Sequence, residues 1–179
     1  MQSSVEIRTH RSTGYFADDD TYTIYIHTGV PTAWSNAVQD ALDEWNDLNL
    51  DVSFAGASTG STYNYGAITV YMASSLSGWA DAKAPTSNGN PGYRIRIDSN
   101  DPYLSHSKKK LVIAHEIGHT IGFDHTDGST GGYLTSNNYG CISSTCDGMD
   151  GNSVMNVWNP VPSWAGFSTC DEDVFTCIY

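Results

Sequence analysis

The sequence predicts an α+β protein, and three observations carry that prediction. Before residue 100, short runs of β-branched and aromatic residues surround one long amphipathic stretch. A second helix-length segment ends at Gly122. Beyond it, regular periodicity gives way to Gly, Ser, Thr, Asn and Asp until a last short helix signal near the C-terminus. A sheet-and-helix layer followed by a smaller, loop-rich portion is the architecture this order implies.

The elements follow in order. Thr21 to His27 reads Thr-Tyr-Thr-Ile-Tyr-Ile-His between Asp18-Asp19-Asp20 and Gly29, the pattern of a strand. After Pro31, the residues Trp34, Val38, Leu42, Trp45 and Leu48 recur at helical spacing with Asp40, Asp43, Glu44 and Asp47 between them. That spacing predicts an amphipathic helix whose Trp/Leu stripe is core rather than a ligand surface. Asp51 to Ala55 and Ala67 to Ala73 read as strands on either side of a Gly/Ser/Thr/Tyr-rich loop from Gly56 to Gly66. Gly78 to Ala84 is a shorter extended segment, with a plain loop as the alternative reading. Asn88-Gly89-Asn90-Pro91-Gly92 marks a turn, and Tyr93 to Asp98 alternates as a half-buried strand does. Ser105 or Ser107 caps the next helix, which runs through Lys108-Lys109-Lys110, read as a solvated face, to about Ile121. Ser168 and Asp171 form an S-x-x-D start signal for a helix over 169–178. There is no internal repeat and no segment biased enough to be a linker.

Composition bounds the function. A chain of 179 residues suits one compact domain with a sizeable core, or two subdomains flanking a cleft. Eight Lys+Arg against twenty Asp+Glu give a net charge of -12, which argues against nucleic acid or an anionic membrane as partner. No apolar run approaches the ~18 residues of a membrane span. Met1-Gln2-Ser3-Ser4 lacks the charged and apolar regions of a signal peptide, so the expectation is a mature secreted chain, monomeric, from which a signal and a pro-segment have been removed.

Cys141, Cys146, Cys170 and Cys177 all lie after residue 140, and none has C-x-x-C spacing. An even count in an acidic chain of extracellular character predicts two disulfides. If residues 169–178 are helical, Cys170 and Cys177 stand about 10 Å apart along the axis, beyond the roughly 7 Å a bridge spans. Cys141 and Cys146 would then each pair with one of the C-terminal two; a local Cys141–Cys146 loop is the competing arrangement.

The chemistry concentrates in residues 115–125, His-Glu-Ile-Gly-His-Thr-Ile-Gly-Phe-Asp-His. On a helix, His115 and His119 lie one turn apart on one face, close enough to bind a single cation. Gly122 ends the helix where a left-handed residue turns the chain back, and His125 comes round as a third ligand. Three protein ligands leave a fourth position on zinc for water or substrate, as in a catalytic site. Glu116 sits beside the metal rather than on it, placed as a general base toward a water. His10, His27 and His106 read as ordinary surface or packing histidines.

The extended HExxHxxGxxH motif, followed by Asn152-Ser153-Val154-Met155-Asn156, resembles the metzincin metallopeptidases. Within them the chain is most similar to the bacterial dual-action HEIGH metallopeptidases. The matching pieces are Gly78-Trp79-Ala80-Asp81, Gly89-Asn90-Pro91-Gly92, His115-Glu116-Ile117-Gly118-His119, His125-Thr126-Asp127, Ser153-Val154-Met155-Asn156 and Trp164-Ala165-Gly166-Phe167-Ser168, from about residue 20 to the end. The resemblance implies a zincin-like catalytic domain spanning 1–179. Its upper subdomain, about 1–122, would carry a twisted mixed five-stranded sheet and two long helices above the cleft. The lower one, about 123–179, would be small and irregular and end in a helix. By the same likeness Met155 is the turn methionine supporting the zinc site, Gly78, Trp79 and Ala80 belong to an edge strand that binds extended substrate, and Asn156, Val157 and Trp158 wall the pocket beyond the scissile bond.

Where several metzincins carry a tyrosine two residues after the turn methionine, this chain has Val157. Oxyanion stabilisation then falls to the metal and to edge-strand amides, with Tyr133 and Tyr139 only loosely placed. Asp127 is either an outer partner to a ligand imidazole or a turn former. The clusters Asp18-Asp19-Asp20 and Asp147-Gly148-Met149-Asp150-Gly151-Asn152 have the oxygen ligands of a Ca2+ site, though neither completes an EF-hand loop. The functional expectation is a secreted zinc endopeptidase with one catalytic Zn2+, acting on protein or peptide substrates. The alternatives are a zinc-stabilised binding module without turnover, against which the presence of Glu116 argues, and a zinc amidase acting on cell-wall crosslinks.

Overall fold

The computed structural model describes residues 11–60, 67–100, 103–126, 132–147, 150–158 and 160–179. Its elements are β1 (Arg11–Ser12), β2 (Thr21–His27), α1 (Thr32–Asp47), β3 (Ser53–Gly60), β4 (Ile68–Ala73), β5 (Ala80–Ala82), β6 (Arg94–Asp98), α2 (His106–Ile121), β7 (Phe123–Asp124), β8 (Gly132–Tyr133) and α3 (Thr169–Ile178), with a 3-10 turn at Ser144–Cys146.

The main sheet has five strands in the order β3-β2-β4-β6-β5. β2 is parallel to β3 and β4, β4 is parallel to β6, and only β5 runs antiparallel, at the edge. This is the mixed α+β arrangement expected. β3 differs from expectation: it continues past Ala55 to Gly60, where a loop was predicted. The cause is pairing, because β3 stays in register with β2 through a bulge until His27 faces Gly60, although its small residues carry no strand pattern of their own. The rest of that predicted loop, 61–66, lies outside the described residues. The strand in Gly78 to Ala84 is confined to Ala80–Ala82; bonds from Asp98 N to Trp79 O at 2.9 Å and from Lys83 N to Arg94 O at 3.1 Å extend the pairing by one residue each way.

α1 buries Trp34, Ala37, Val38, Ala41, Leu42 and Trp45, the stripe its periodicity predicts, against α2 and the sheet. α2 starts after Ser105, with no side-chain cap bond, and the alternative cap Ser107 lies inside it, where its hydroxyl accepts from Trp164 N at 2.8 Å. The lysine run is a correction. Lys109 is buried, its ammonium donating to Leu104 O and lying 5.4 Å from the Trp34 ring centre. Lys110 pairs with Glu44 on α1 and lies 5.2 Å from the Trp164 ring. Only a local view makes three lysines a solvated face; the packing of α2 on α1 and on the chain near 164 turns two of them inward, with their charged heads still partnered.

A second sheet of three short strands, β7-β1-β8, was not foreseen: β1 pairs antiparallel with both β7 and β8. Two disulfides, Cys141–Cys177 and Cys146–Cys170, clamp α3 to the otherwise irregular chain before it. Each joins one of the first two cysteines to one of the last two, and the local Cys141–Cys146 loop is excluded. α3 opens with a full capping box, Ser168 and Asp171 each accepting the other's backbone N–H.

Candidate functional site

α2 ends because Gly122 adopts φ +126°, a conformation that side chains resist, while its N–H still bonds back to Gly118 O at 3.1 Å. There is no room for a side chain either, since a Cβ there would lie 2.6 Å from Tyr15 O and from Phe16. The reversal brings His125 back toward His115 and His119. These three are the one cluster among the described residues whose ligand atoms could share a metal, all within 4.8 Å of one another.

Backbone carbonyls orient the rings. His115 Nδ1 lies 2.7 Å from Val154 O and His119 Nδ1 lies 2.7 Å from Phe123 O, so in each ring Nδ1 carries the proton and donates it. Nε2 of both rings therefore presents a lone pair, and both meet His125 Nε2 at 3.0 Å. A neutral His125 has one N–H to offer at that atom and cannot satisfy both; one cation satisfies all three. The 3.0 Å separations are close to the roughly 3.3 Å edge of a tetrahedron built on zinc–nitrogen bonds of about 2.0–2.1 Å. The donor set thus fits a metal. Burial, followed by the neighbouring imidazoles His119 and His125, holds His115 well below the ordinary histidine range, and burial with His125 brings His119 down to about 4. Neutral imidazoles are the form a metal needs.

Glu116 is buried next to this centre, and its Oε2 has no hydrogen-bond partner among the described residues. Burial first, then the nearby charge of Asp81, pushes its carboxyl up to about 8. A cation on the three imidazoles favours the carboxylate and opposes that rise.

Met155 lies under α2, fully buried. Gly118, the glycine between His115 and His119, is what admits it: a Cβ at 118 would lie 2.5 Å from Met155 Sδ. The same turn is tied to the residue after His125, with Thr126 N donating to Met155 O at 3.1 Å and Thr126 Oγ1 donating to Asn156 Oδ1.

His115, Glu116, His119 and His125 open into a cleft of about 860 Å³. Gly78, Trp79 and Ala80 line it on the side of β5, and Asn156, Val157 and Trp158 also contribute to its lining. The structure therefore brings all of these to one cavity; Asp127 lies outside the described residues. Tyr133 is exposed on β8, and Tyr139 packs against the core. His106 Nε2 lies 2.6 Å from Asp40 Oδ2, and His27 Nδ1 accepts from Gly29 N. His10 is outside the described residues. Asp147 accepts from Ser136 N and Oγ, and Asp150 accepts from Asn152 N and from the Ser168 hydroxyl, so these carboxylates serve the loops around them.

Sequence reasoning gave no role to Asp81, which lies on the cleft side of β5 and takes a two-pronged ion pair from Arg96. The alternation of β6 with Arg96 opposite a short acidic segment was the available signal. Asp124, which accepts from His125 N at 2.8 Å, was also passed over.

Comparison with solved structures shows the same fold. Myroilysin matches with a TM-score of 0.56 at 17% identity, covering 93% of this chain and 95% of that one. High choriolytic enzyme 1, a hatching enzyme zinc-protease from Oryzias latipes (Medaka fish), matches with a TM-score of 0.53 at 14% identity, covering 91% of this chain and 93% of that one. No curated protein matches. The model of the dual-action HEIGH metallo-peptidase matches residues 6–179, which takes in the sheet, the imidazole cluster and the methionine turn together. On that match the chain is a member of the dual-action HEIGH metallopeptidase family.

Proposed function

We propose that this metallopeptidase is a secreted zinc endopeptidase that cuts peptide bonds with Glu116 as general base, and that the chain is one catalytic unit with its cleft between an upper portion ending near residue 122 and a lower portion after it. The observation that carries the reading is the convergence of three imidazoles beside a buried carboxylate with an unpartnered oxygen. His115, His119 and His125 would hold the metal. Zinc bound there supplies Lewis acidity, acidifying a water and polarising the scissile carbonyl.

The chain's own residues do the rest. Glu116 accepts the water's proton and returns it to the leaving amine. β5 pairs with β6 along one edge only among the described residues, and Ala80 and its neighbours line the cleft. An extended peptide laid along β5 gains main-chain hydrogen bonds that orient it independently of its side chains. Asn156, Val157 and Trp158 would wall the pocket beyond the cut; Val157 is 55% exposed and offers no hydroxyl to an oxyanion. Two disulfides and a net charge of -12 support work outside the cell.

The test is casein labelled to self-quench, incubated with the chain before and after a zinc chelator. Cleavage that stops with the chelator and returns with added zinc is the expected result. Stoichiometric zinc without cleavage of casein or a mixed peptide library would reject the endopeptidase, and purified cell walls would then test the amidase.

A further inference from the structure

Asp171 is a carboxylate with no solvent exposure, at the third position of α3. As part of a capping box it needs to hold only the Ser168 N–H, at 3.0 Å. It does more. Its Oδ1 accepts from the Ser153 hydroxyl at 2.6 Å, and its Oδ2 accepts from Val154 N at 2.8 Å. The Ser153 hydroxyl oxygen in turn accepts from Met155 N at 3.0 Å. Three successive residues of the methionine turn thus hang on one carboxylate, directly or through one hydroxyl. Across the same turn, the Val154 carbonyl is the acceptor that orients His115 at 2.7 Å.

We propose that Asp171 is a positioning residue for the metal centre: it holds Ser153 and Val154 so that the Val154 carbonyl fixes the His115 ring with Nε2 toward the metal. The inference rests on the three-imidazole reading above. Bonds to a charged acceptor are shorter and stronger than neutral ones, so a buried carboxylate sets the turn more firmly than an amide would. Outer partners of a ligand imidazole tune both its orientation and its basicity. Among other contacts of the turn, Met155 against Gly118 and Thr126 to Met155 O restrain it from the side of α2 and the His125 loop, and Asp150 O accepts from Asn156 Nδ2 at 2.9 Å. Asp171 is the restraint from α3, and α3 is itself fixed by Cys170 and Cys177.

Asp171→Asn keeps the shape but leaves one acceptor oxygen for Val154 N and Ser168 N and turns an amide donor toward the Ser153 hydroxyl. The test measures zinc affinity by competition with a chromophoric chelator, the absorption spectrum of the cobalt-substituted protein, and KM apart from kcat. The expected result is zinc binding weakened by about 10–100-fold, a shifted cobalt spectrum and an unchanged KM. Ser168→Ala removes the other half of the capping box together with the Ser168 hydroxyl's bond to Asp150, but leaves the bonds of Asp171 to Ser153 and Val154 in place, and its zinc affinity should stay within about twofold of wild type.

Unchanged zinc affinity and cobalt spectrum in Asp171→Asn would overturn the proposal, as would an equal loss in Ser168→Ala, which would assign the effect to the helix cap and its bond to Asp150 rather than to the bonds Asp171 makes to the turn. If Asp171→Asn does not fold, Ser153→Ala cuts one link of the same path and should weaken zinc by severalfold; no change there would equally overturn it. Failure of the wild-type chain to bind zinc at all would instead sink the metal reading beneath it.

Discussion

The chain up to Gly122 and the chain after it hold their shares of the site by different forces. His115 and His119 ride on α2, which packs against α1 and the sheet with Ile113, Ala114, Ile117 and Ile121 fully buried. His125 and Met155 stand on short, irregular segments held by hydrogen bonds, two disulfides and one capped helix. The two constructions meet at Trp45. Its indole N–H donates to Ala114 O at 3.0 Å, while its ring packs 4.7 Å from Phe175 of α3 and 4.8 Å from Phe167. A hydrophobic layer suits the two helix histidines, whose spacing the helix itself sets. His125 comes from a reversed chain and has to be placed by specific bonds.

The contrast can be broken one region at a time. The largest expected effect leaves both regions standing: Glu116→Gln should lower kcat by about 10²–10⁴, the range general-base catalysis contributes, with zinc content and thermal stability retained. Near-normal turnover in that variant would remove Glu116 from the mechanism. Next, Trp45→Ala should cost roughly 3–5 kcal/mol in denaturant unfolding, because it opens a cavity where the two regions touch. A cost typical of a surface site would show that they are not coupled there.

Removing either disulfide follows, at roughly 3–4 kcal/mol for loops of 24 and 36 residues if chain entropy dominates. Hydrogen exchange on the reduced protein should show amides of 132–179 opening first while those of β2, β4 and α1 stay protected. Simultaneous opening would mean one cooperative unit and erase the distinction. The smallest effect is Gly118→Ala, roughly 1–3 kcal/mol, as the new methyl group meets Met155 Sδ. Its companion Met155→Ala in the same background should recover part of that loss if the contact is the cause.

The two regions also differ in how much their sequence reveals. β2, α1 and α2 carry their own periodicity, because an element that buries one face must repeat apolar residues at 2 or 3.6. The imidazole cluster was legible for the same reason, since helical spacing and one turn-forming glycine suffice to bring 115, 119 and 125 together. β1, β7 and β8 have two residues each and exist only through pairing between distant segments, which leaves no local pattern. The far half of β3 and the buried Lys109 escaped for that reason too: neighbours remote in sequence decide their fate. Asp171 shows the limit most clearly. Its spacing from Ser168 announced a helix cap, but its bonds to Ser153 and Val154 follow from where α3 docks.

The central claim is that these two differently built regions converge on a single three-imidazole metal centre. Zinc-edge X-ray absorption on the purified, zinc-loaded chain tests it most directly. One equivalent of zinc with three imidazole nitrogens at about 2.0–2.1 Å and a further light ligand is the expected result. Sulfur in the zinc shell, or an unchanged spectrum when His125 is replaced by alanine, would contradict it.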